Sequence, residues 1–325
     1  MSRVVLVFTG GTIAMKPDSQ AGGAVPVLDG AAIIERTPGL DQVAELEAID
    51  WGLVPASHLS FGQLLDIASV VQRALERSDV DGAVVIQGTD SIEETSFAFD
   101  LLVRGDKPVV ITGAMRNSAE PDYDGPRNLT DAVRCAASPA LRGEGCVVVL
   151  DGRIIGADQV VKGHASALDA FRPRDGELLG VVDTDEVRLS ASRRGRPRLP
   201  VVPSHAIEQL PLVKAVVGMD GTLLRLLRPT RPAGVVIEAT GAGNTHPDLL
   251  AAAQELMTDG AVVCLTTRCS AGRVAPAYGF PGGGAQWQRA GAILAGLDGL
   301  KCRVALALGL AAGLADAELR WIVRA

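Results

Sequence analysis

The chain has 325 residues, of which 47% are hydrophobic and only 3% aromatic, so it can bury one large or two medium cores filled by small aliphatic side chains. A formal net charge of −7 excludes an extended basic surface of the kind that binds nucleic acid. No run approaches the roughly 18 consecutive apolar residues of a membrane span, and the first predicted strand begins at Arg3 or Val4, so we expect no membrane association, no signal peptide and a cytoplasmic location.

Short apolar runs rich in β-branched residues recur between amphipathic segments. They are Val4–Phe8, Ala83–Gln87, Pro108–Thr112, Cys146–Leu150, Ala215–Met219, Gly234–Ala239 and Ala261–Thr266. Because these runs lack strict alternation, they suit strands covered on both faces, as in a parallel sheet. Two shorter strands are expected at Val181–Asp183 and Val187–Leu189. The pattern predicts an α/β protein.

Helical patterns lie between these runs. The predicted helices are Leu64–Glu76, Asp90 to about Val103, Pro126 to about Ala137, and Pro247–Met257. Asp90 would cap its helix, and Pro126 suits the first helical position because its missing N–H has no partner there in any case. The alternation of strands and helices favours βαβ units.

Periodicity breaks down between Ser192 and about Leu212, where Arg, Pro, Ser and Gly dominate. We therefore predict a mostly parallel α/β domain over residues 1–191, a linker over 192–212, and a smaller α/β domain over 213–325. The short basic cluster Arg193–Arg198 contains Gly and Pro, so we interpret it as part of a solvated linker and not as a nucleic-acid site.

The cysteines and histidines give no sign of a metal or another cofactor. The five cysteines are odd in number and none is spaced as CxxC, while the four histidines are scattered without ligand spacing. We expect free, mostly buried thiols and no cofactor.

Two threonine clusters directly follow predicted buried strands. Residues 9–14 have the sequence TGGTIA and follow Val4–Phe8, and residues 88–95 have the sequence GTDSIEET and follow Ala83–Gln87. In an open parallel sheet, ligands bind outside the carboxyl ends of the strands. A hydroxyl nucleophile at that edge is one way to build an amide hydrolase without cysteine, metal or cofactor.

Main-chain amides near both clusters are candidate donors to an oxyanion. Gly10 and Gly11 permit a close backbone approach, and Gly88 to Asp90 precede a predicted helix. A third polar segment, Thr112–Arg116, follows another strand. A reaction that builds negative charge on an acyl oxygen would be served by such donors.

A threonine hydroxyl needs a neighbouring base to take its proton at neutral pH. Lys162 is the candidate, because it lies in a short strand-like segment, residues 159–165, with Asp158 and Asp169 nearby in sequence. Each residue also has an ordinary interpretation: Thr12 as a turn residue, Thr89 and Asp90 as a helix cap, Lys162 as a surface lysine. The catalytic interpretation depends on their combination.

The same segments carry a resemblance to a known family. In order along the chain they are TGGTIA at 9–14, GTDSIEET at 88–95, ITGAMR at 111–116, DGPRNL at 124–129, GAGN at 241–244 and KCRV at 301–304. Together they resemble the bacterial-type L-asparaginases and glutaminase-asparaginases over essentially the whole chain. The two threonine motifs taken together are highly specific, whereas either alone would be only suggestive.

The resemblance implies a two-domain α/β enzyme that hydrolyses the side-chain amide of L-asparagine to aspartate and ammonia through an acyl-enzyme intermediate. It also implies a homotetramer of intimate dimers, with a homodimer as the smaller alternative. Thr12 would be the nucleophile, while Thr89, Asp90 and Lys162 would activate a hydroxyl or water. Which threonine attacks first is left open by the sequence.

Further positions match substrate contacts of the family. Asp90 would hold the α-amino group of the substrate. The remaining matched positions are Ser57 and His58 for the α-carboxylate and α-amino groups, Gly11 and Gly88 for close backbone approach, Ala114 for a carbonyl that receives the leaving ammonia, and Asn244 and His246 as contacts of a partner subunit.

The chain also departs from the family pattern. The loop Met15–Pro26 after Thr12 has no tyrosine, although well-known high-affinity members place one there. His58 and His246 stand where a glutamine and an asparagine are expected. No acidic residue lies between Cys269 and Tyr278, where some members supply a glutamate across the subunit interface. These changes bear on affinity and substrate preference more than on acyl transfer.

Three other functions compete with an L-asparagine amidohydrolase. A related amidase could act on glutamine, a D-isomer or a larger amide, and a non-catalytic amino-acid sensor would keep the cleft without turnover. Binding alone does not need two hydroxyls and an amine, which disfavours the sensor. A nucleotide-binding module is disfavoured because neither TGGT at 9–12 nor GAGNTH at 241–246 has GxGxxG spacing.

Overall fold

A computed structural model describes residues 1–18, 22–183 and 186–324, so residues 19–21 of the loop Met15–Pro26 lie outside the described residues. The chain divides into two compact units, unit 1 from Met1 to Arg196 and unit 2 from Pro197 to Ala325. Each unit has its own sheet covered by helices, which confirms the predicted α/β fold class. The predicted boundaries at residues 191 and 213 stay predictions.

Unit 1 contains twelve strands and five α-helices among its described residues. The strands are β1 (Arg3–Phe8), β2 (Met15–Asp18), β3 (Gly23–Pro26), β4 (Glu45–Asp50), β5 (Gly82–Ile86), β6 (Val109–Thr112), β7 (Cys146–Leu150), β8 (Arg153–Gly156), β9 (Val160–Lys162), β10 (Phe171–Pro173), β11 (Gly180–Asp183) and β12 (Glu186–Leu189). The helices are α1 (Gly30–Glu35), α2 (Leu40–Val43), α3 (Phe61–Glu76), α4 (Ile92–Leu102) and α5 (Gly125–Ala137). Short 3₁₀ turns cover Thr12–Ala14, Ala56–His58, Thr89–Ser91 and Pro139–Leu141.

Eight of these strands form the main sheet in the order β12-β11-β8-β7-β6-β5-β1-β4. The five strands from β7 to β4 are parallel, and the other three continue the sheet in antiparallel fashion. Leu6 and Phe8 pack in a core that includes side chains of α5, whereas Val5 and Val7 point to the opposite face and are equally buried. Burial on both faces explains why the strand sequences do not alternate.

The order of connections reverses at β1. The chain leaves β1 towards β4 on one side and then crosses to β5 on the other side. Loops from β1 and β5 therefore leave the sheet edge in different directions and open a crevice between them. The two threonine clusters follow these two strands, Thr12 after β1 and Thr89 after β5.

Unit 2 has a smaller sheet in the order β13-β14-β15-β16, with all pairs parallel. Its elements are β13 (Leu212–Lys214), α6 (Thr222–Leu227), β14 (Gly234–Ala239), α7 (Pro247–Thr258), β15 (Val262–Thr267), α8 (Gly284–Ala290), β16 (Ile293–Leu294), α9 (Gly299–Ala311) and α10 (Asp316–Ile322), with a 3₁₀ turn at Arg228–Thr230. Its core includes Trp287, which is fully buried and donates from Nε1 to the Thr245 hydroxyl at 3.1 Å.

Most predicted strands are confirmed within two residues, but the strand at Ala215–Met219 is wrong. The strand of this region is β13, which ends at Lys214. Ala215 still donates to the Glu238 carbonyl, and the chain then turns, with Gly218 at φ +82° and Val217 fully exposed. The hydrophobic run Ala215–Met219 therefore lies beyond the end of β13 and contains this turn, which is why hydrophobicity alone predicts a strand there wrongly.

Helix starts follow local capping chemistry. Helix α3 begins at Phe61, three residues earlier than predicted, because Ser60 and Gln63 form a reciprocal capping box. The prediction that Asp90 caps α4 is wrong: the helix begins at Ile92 after a 3₁₀ turn, and its N-cap residue is Ser91.

The interpretation of Arg193–Arg198 as solvated is wrong for two of its arginines. The side chains of Arg193 and Arg196 are 9% and 8% exposed, and both bind the carboxylate of Asp100, at 2.8 Å and 2.6 Å. Arg193 also pairs with Asp158 at 2.6 Å and donates to the carbonyls of Glu144 and Cys146. These bonds attach the end of unit 1 to the start of β7.

Four of the five thiols are buried and only Cys269 is exposed, in agreement with the sequence. Burial raises the pKa of the Cys135 and Cys146 thiols, so both stay protonated and unreactive. Within the residues that the structure describes, no helix has the length and apolar character needed to cross a membrane.

We predict that Asp100→Asn destabilises unit 1 by about 3–5 kcal/mol, because it removes the counter-charge of two buried guanidinium groups. Urea titration followed by far-UV circular dichroism measures this change as a lower midpoint.

Asp106→Asn is the matched control. Asp106 lies at the protein surface, where its side chain is 67% exposed and pairs with Arg142. Loss of such a pair costs less than about 1 kcal/mol. Equal midpoints for the two variants would contradict the structural role assigned to Asp100.

Candidate active site

Lys162 links two of the residues that the sequence singled out. Its Nζ lies 2.8 Å from the Thr89 hydroxyl and 2.6 Å from Asp90 Oδ1. Thr89 is buried and the Lys162 side chain is 13% exposed, whereas the Asp90 side chain is 72% exposed. The three polar groups therefore form a connected set that reaches from a buried hydroxyl to an exposed carboxylate.

Lys162 approaches from outside the main sheet. It ends β9, which pairs with β10 in a separate two-stranded sheet and packs against α4. The segment before β9 contains Asp158, which is bound by the buried Arg193. The β9–β10 pair is therefore held both by its packing on α4 and, through Asp158, by the ion pair of Arg193, which also binds Asp100 of α4.

Thr12 reaches the same edge through a contact between two glycine backbones. A Cβ on Gly11 would overlap the main chain of Gly88, and Gly11 has φ +92° and ψ −178°, a conformation that only glycine adopts readily. Thr12 directly follows Gly11 and Thr89 directly follows Gly88. The two threonines thus lie on adjoining 3₁₀ turns, and Thr12 is only partly buried.

The 3₁₀ turn Ala56–His58 packs against the turn that contains Thr89. Ser91 donates from Oγ to the Ala56 carbonyl at 3.1 Å, and a Cβ on Gly88 would lie 2.8 Å from the Ala56 Cβ. Ser57 and His58, the next two residues, are both exposed. The structure therefore brings Ser57 and His58 to the rim of the Thr89 cluster.

Ala114 lies in a turn after β6 that is held by side chains to which the sequence analysis gave no role. Asp124 accepts hydrogen bonds from the amides of Met115 and Arg116, and Asn128 donates to Asp124 at 2.8 Å and to the Gly113 carbonyl at 3.0 Å. Both residues lie in the quoted motif at 124–129, which was the available signal. Ala114 itself is fully buried.

A second contact missed by the sequence analysis reaches the Thr12 turn. Tyr123 donates from its hydroxyl to the Ile13 carbonyl at 3.1 Å, and Ser118 donates from Oγ to the Met15 carbonyl at 3.0 Å. Burial, with a smaller contribution from the Asp124 charge, raises the pKa of Tyr123 to about 12. The phenol is therefore a neutral donor at physiological pH.

Asn244 and His246 lie in unit 2, on the turn between β14 and α7. The Asn244 main chain forms a β-bridge with Thr240, and its side-chain carbonyl oxygen is buried without a hydrogen-bond partner in the part of the chain that the structure describes. His246 is the N-cap of α7 and accepts from the Asp248 amide at 3.2 Å through Nδ1. His246 therefore has a structural role within unit 2.

No group of three or more His, Cys, Asp or Glu side chains that could hold a metal ion occurs among residues 1–18, 22–183 and 186–324. The candidate site of unit 1 is composed of hydroxyls, one amine, one carboxylate and main-chain amides. This set of groups is suited to acyl transfer, in which a hydroxyl attacks a carbonyl carbon and amides stabilise the oxyanion.

Comparison with known proteins assigns both halves of the chain to one family. Residues 3–194 match the family model "Asparaginase, N-terminal", and residues 209–322 match "Glutaminase/Asparaginase C-terminal domain". The chain is 35% identical to the probable L-asparaginase of Deinococcus radiodurans over 98% of this chain and 96% of that one. It is 30% identical to the L-asparaginase of Bacillus licheniformis over 95% of each chain.

The fold is also similar to a solved structure. The crystal structure of the probable cytoplasmic L-asparaginase of Campylobacter jejuni matches with a TM-score of 0.87 and 26% identity over 100% of both chains. With two family models covering most of the chain, this protein belongs to the asparaginase family.

We predict that Gly11→Ala destabilises unit 1 more than a glycine substitution made where there is space. The added Cβ would overlap the Gly88 main chain in a conformation that itself costs about 1–3 kcal/mol for a residue other than glycine. Chemical denaturation measures the difference in unfolding free energy.

Gly39→Ala is the matched control, because Gly39 also has a positive φ, +80°. Among the described residues, a Cβ added at Gly39 would meet no heavy atom within 4 Å beyond its chain neighbours. Its cost is expected at about 1–2 kcal/mol. If Gly11→Ala lowered the free energy of unfolding no more than Gly39→Ala, the close approach between the turns of Thr12 and Thr89 would be contradicted.

Proposed function

We propose that this protein is an amidohydrolase that converts L-asparagine and water to L-aspartate and ammonia through a threonine-linked acyl-enzyme. The observation that carries the proposal is the connected set of Thr89, Lys162 and Asp90, adjoining the turn of Thr12, in a member of the asparaginase family. A binding protein would have no use for an amine hydrogen-bonded to a buried hydroxyl beside a second hydroxyl.

In the first step, Thr12 Oγ forms a bond to the side-chain carbonyl carbon of the substrate. The carbonyl oxygen becomes negatively charged, and amides at the start of the Thr89–Ser91 turn, which have no partner within that turn, are donors for it. The carbon–nitrogen bond then breaks, the proton of the Thr12 hydroxyl ends on the leaving nitrogen, and ammonia departs. The product is a β-aspartyl ester of Thr12.

In the second step, water attacks the ester carbon. The water proton passes through the Thr89 hydroxyl to the Lys162 amine, along the 2.8 Å contact between them. The bond from carbon to Thr12 Oγ breaks, and the Lys162 ammonium returns a proton to that oxygen. Asp90 stabilises the Lys162 ammonium at 2.6 Å, so Lys162 can hold the proton until it is returned to Thr12 Oγ.

Substrate recognition is assigned to exposed groups at the rim. Asp90 Oδ1 contacts Lys162, and its second carboxylate oxygen is available to the α-ammonium of the substrate, since the side chain is 72% exposed. Ser57 and His58 are exposed on the adjoining turn and are proposed to contact the α-carboxylate and α-amino groups. The Ala114 carbonyl is proposed as acceptor for ammonia on the family resemblance alone, since Ala114 is fully buried and does not belong to the exposed rim.

We further propose that the protein acts in the cytoplasm as a homodimer or homotetramer. The buried Asn244 carbonyl oxygen, which lacks a donor among the described residues, supports a contact from a second copy near Asn244 and His246. An unsatisfied buried acceptor is costly unless a partner or a water supplies the missing bond.

We predict that Thr12→Ala lowers kcat for ammonia release from L-asparagine by at least about 10³-fold, and that Lys162→Met lowers it by about 10²–10⁴-fold, because the first removes the nucleophile and the second the proton acceptor. A coupled assay of ammonia release from L-asparagine, L-glutamine and D-asparagine measures kcat for each variant. Circular dichroism of each variant checks that it is folded.

Thr258→Ala and Lys214→Met are the matched controls. The Thr258 hydroxyl donates to the Gln254 carbonyl within α7, and the Lys214 side chain is 61% exposed. Both should retain full turnover. Near-full activity of a folded Thr12→Ala variant would exclude Thr12 as nucleophile, and a folded wild-type protein that releases no ammonia from asparagine would exclude the proposed substrate.

A further inference from the structure

The turn that carries Thr12 has every main-chain carbonyl from Gly11 to Met15 in a hydrogen bond. Gly11 and Thr12 accept from amides within the turn, and Ala14 accepts from the amides of Val27 and Leu28. The remaining two carbonyls, of Ile13 and Met15, accept from side chains. Those side chains are the hydroxyls of Tyr123 and Ser118, which lie on one segment after β6.

The Met15 carbonyl needs a side-chain donor because of its place in the β2–β3 pair. Met15 and Pro26 lie opposite each other as a non-hydrogen-bonded pair, flanked by the bond from the Val27 amide to the Ala14 carbonyl. The Met15 carbonyl therefore points away from β3 and receives no bond from that strand. Ser118 supplies the missing bond at 3.0 Å. The side chains of the segment 118–123 therefore close the two positions that the backbone of the turn and hairpin leaves open.

We propose that Tyr123, assisted by Ser118, is a positioning residue that fixes the turn of Thr12 for nucleophilic attack, and that it acts as a neutral hydrogen-bond donor to the Ile13 carbonyl. This inference rests on the proposed function. Tyr123 does not lie in the loop Met15–Pro26, where other family members are expected to have a tyrosine. That loop has no tyrosine in this chain.

The location of the phenol ring is built into the fold. A Cβ on Gly125, the first residue of α5, would overlap the phenol end of the Tyr123 ring, so the ring lies across a position that glycine keeps open. The ring also packs on the core that contains Phe8, Ile13 and Leu129. Tyr123 is thereby held between the start of α5 and the Thr12 turn.

The charged neighbours of the ring favour donation and oppose base catalysis. Burial of the ring and the Asp124 charge both raise the pKa of the Tyr123 phenol, and Arg36 opposes them with a smaller effect. A protonated phenol cannot take the Thr12 proton, but it can hold the Ile13 carbonyl and with it the adjoining Thr12 peptide unit. A nucleophile displaced by about 1 Å loses about 100-fold in rate.

The test is Tyr123→Phe, which keeps the ring and removes the donor. With L-asparagine as substrate, we expect kcat to fall by about 10- to 100-fold while KM changes by less than about three-fold, because the lost interaction orients the attack and does not bind substrate. Replacement of Tyr123 by p-aminophenylalanine restores an N–H donor without an acidic phenol, and we expect it to recover most of the lost kcat.

Two further variants isolate the cause. Ser118→Ala should lower kcat, whereas Ser190→Ala should not, although it also removes a hydroxyl bond to main-chain carbonyls, those of Leu178 and Leu179. Full kcat in Tyr123→Phe would overturn the proposal. The proposal would also be overturned if p-aminophenylalanine failed to restore kcat and the pH–rate profile had an alkaline limb that depends on Tyr123. That result would indicate that Tyr123 acts as a general base.

Hydrogen–deuterium exchange tests the same contact without turnover. In Tyr123→Phe, the amides of residues 12–16 should exchange faster than in the wild type, while those of β5 should be unchanged. This holds even if the wild type proves inactive on L-asparagine, which would reject the proposed substrate alone. Unchanged exchange at residues 12–16 would overturn the positioning role of Tyr123.

Discussion

The close approach of Gly11 to Gly88 is the constraint on which the site depends. The two glycines follow adjacent parallel strands at the point where the order of connections reverses, and a side chain on Gly11 would overlap the main chain of Gly88. Their contact sets the separation of the turns that carry Thr12 and Thr89. Because Gly88 has no side chain, the turn Ala56–His58 also packs against it, so three loops converge on one edge of the sheet.

Lys162, the cationic group of the site, is held by structure outside the main sheet. Lys162 ends a strand outside the main sheet, and its amine enters the cluster beside a buried hydroxyl and an exposed carboxylate. The segment before that strand is tied by Asp158 to Arg193, which also binds Asp100. The two proposed roles follow from this arrangement, because the proposed nucleophile Thr12 lies on a turn fixed by the sheet, whereas the proposed proton acceptor Lys162 lies on a strand fixed by buried ion pairs.

The sequence predicts what local pattern determines and misses what distant partners determine. The run Ala83–Gln87 predicts β5 within one residue, since a strand buried on both faces must be apolar throughout. The glycines and hydroxyls at 9–14 and 88–95 similarly indicate a site at the strand ends. By contrast, the burial of Arg196 depends on Asp100, which is 96 residues away and which no local pattern indicates. The grouping of Asp90 with Lys162, 72 residues apart, comes only from the family resemblance. The contact of Tyr123 with Ile13 spans 110 residues and no short motif encodes it.

The proposed mechanism requires an ester on Thr12 that is hydrolysed with the help of Lys162. Rapid quenching of the Lys162→Met variant with L-asparagine, followed by mass spectrometry of its proteolytic peptides, tests both points in one experiment. We expect the peptide containing Thr12 to gain the mass of one β-aspartyl group, and we expect no gain once Thr12→Ala is added. A β-aspartyl group found on the peptide containing Thr89, with the Thr12 peptide unmodified, would contradict this mechanism.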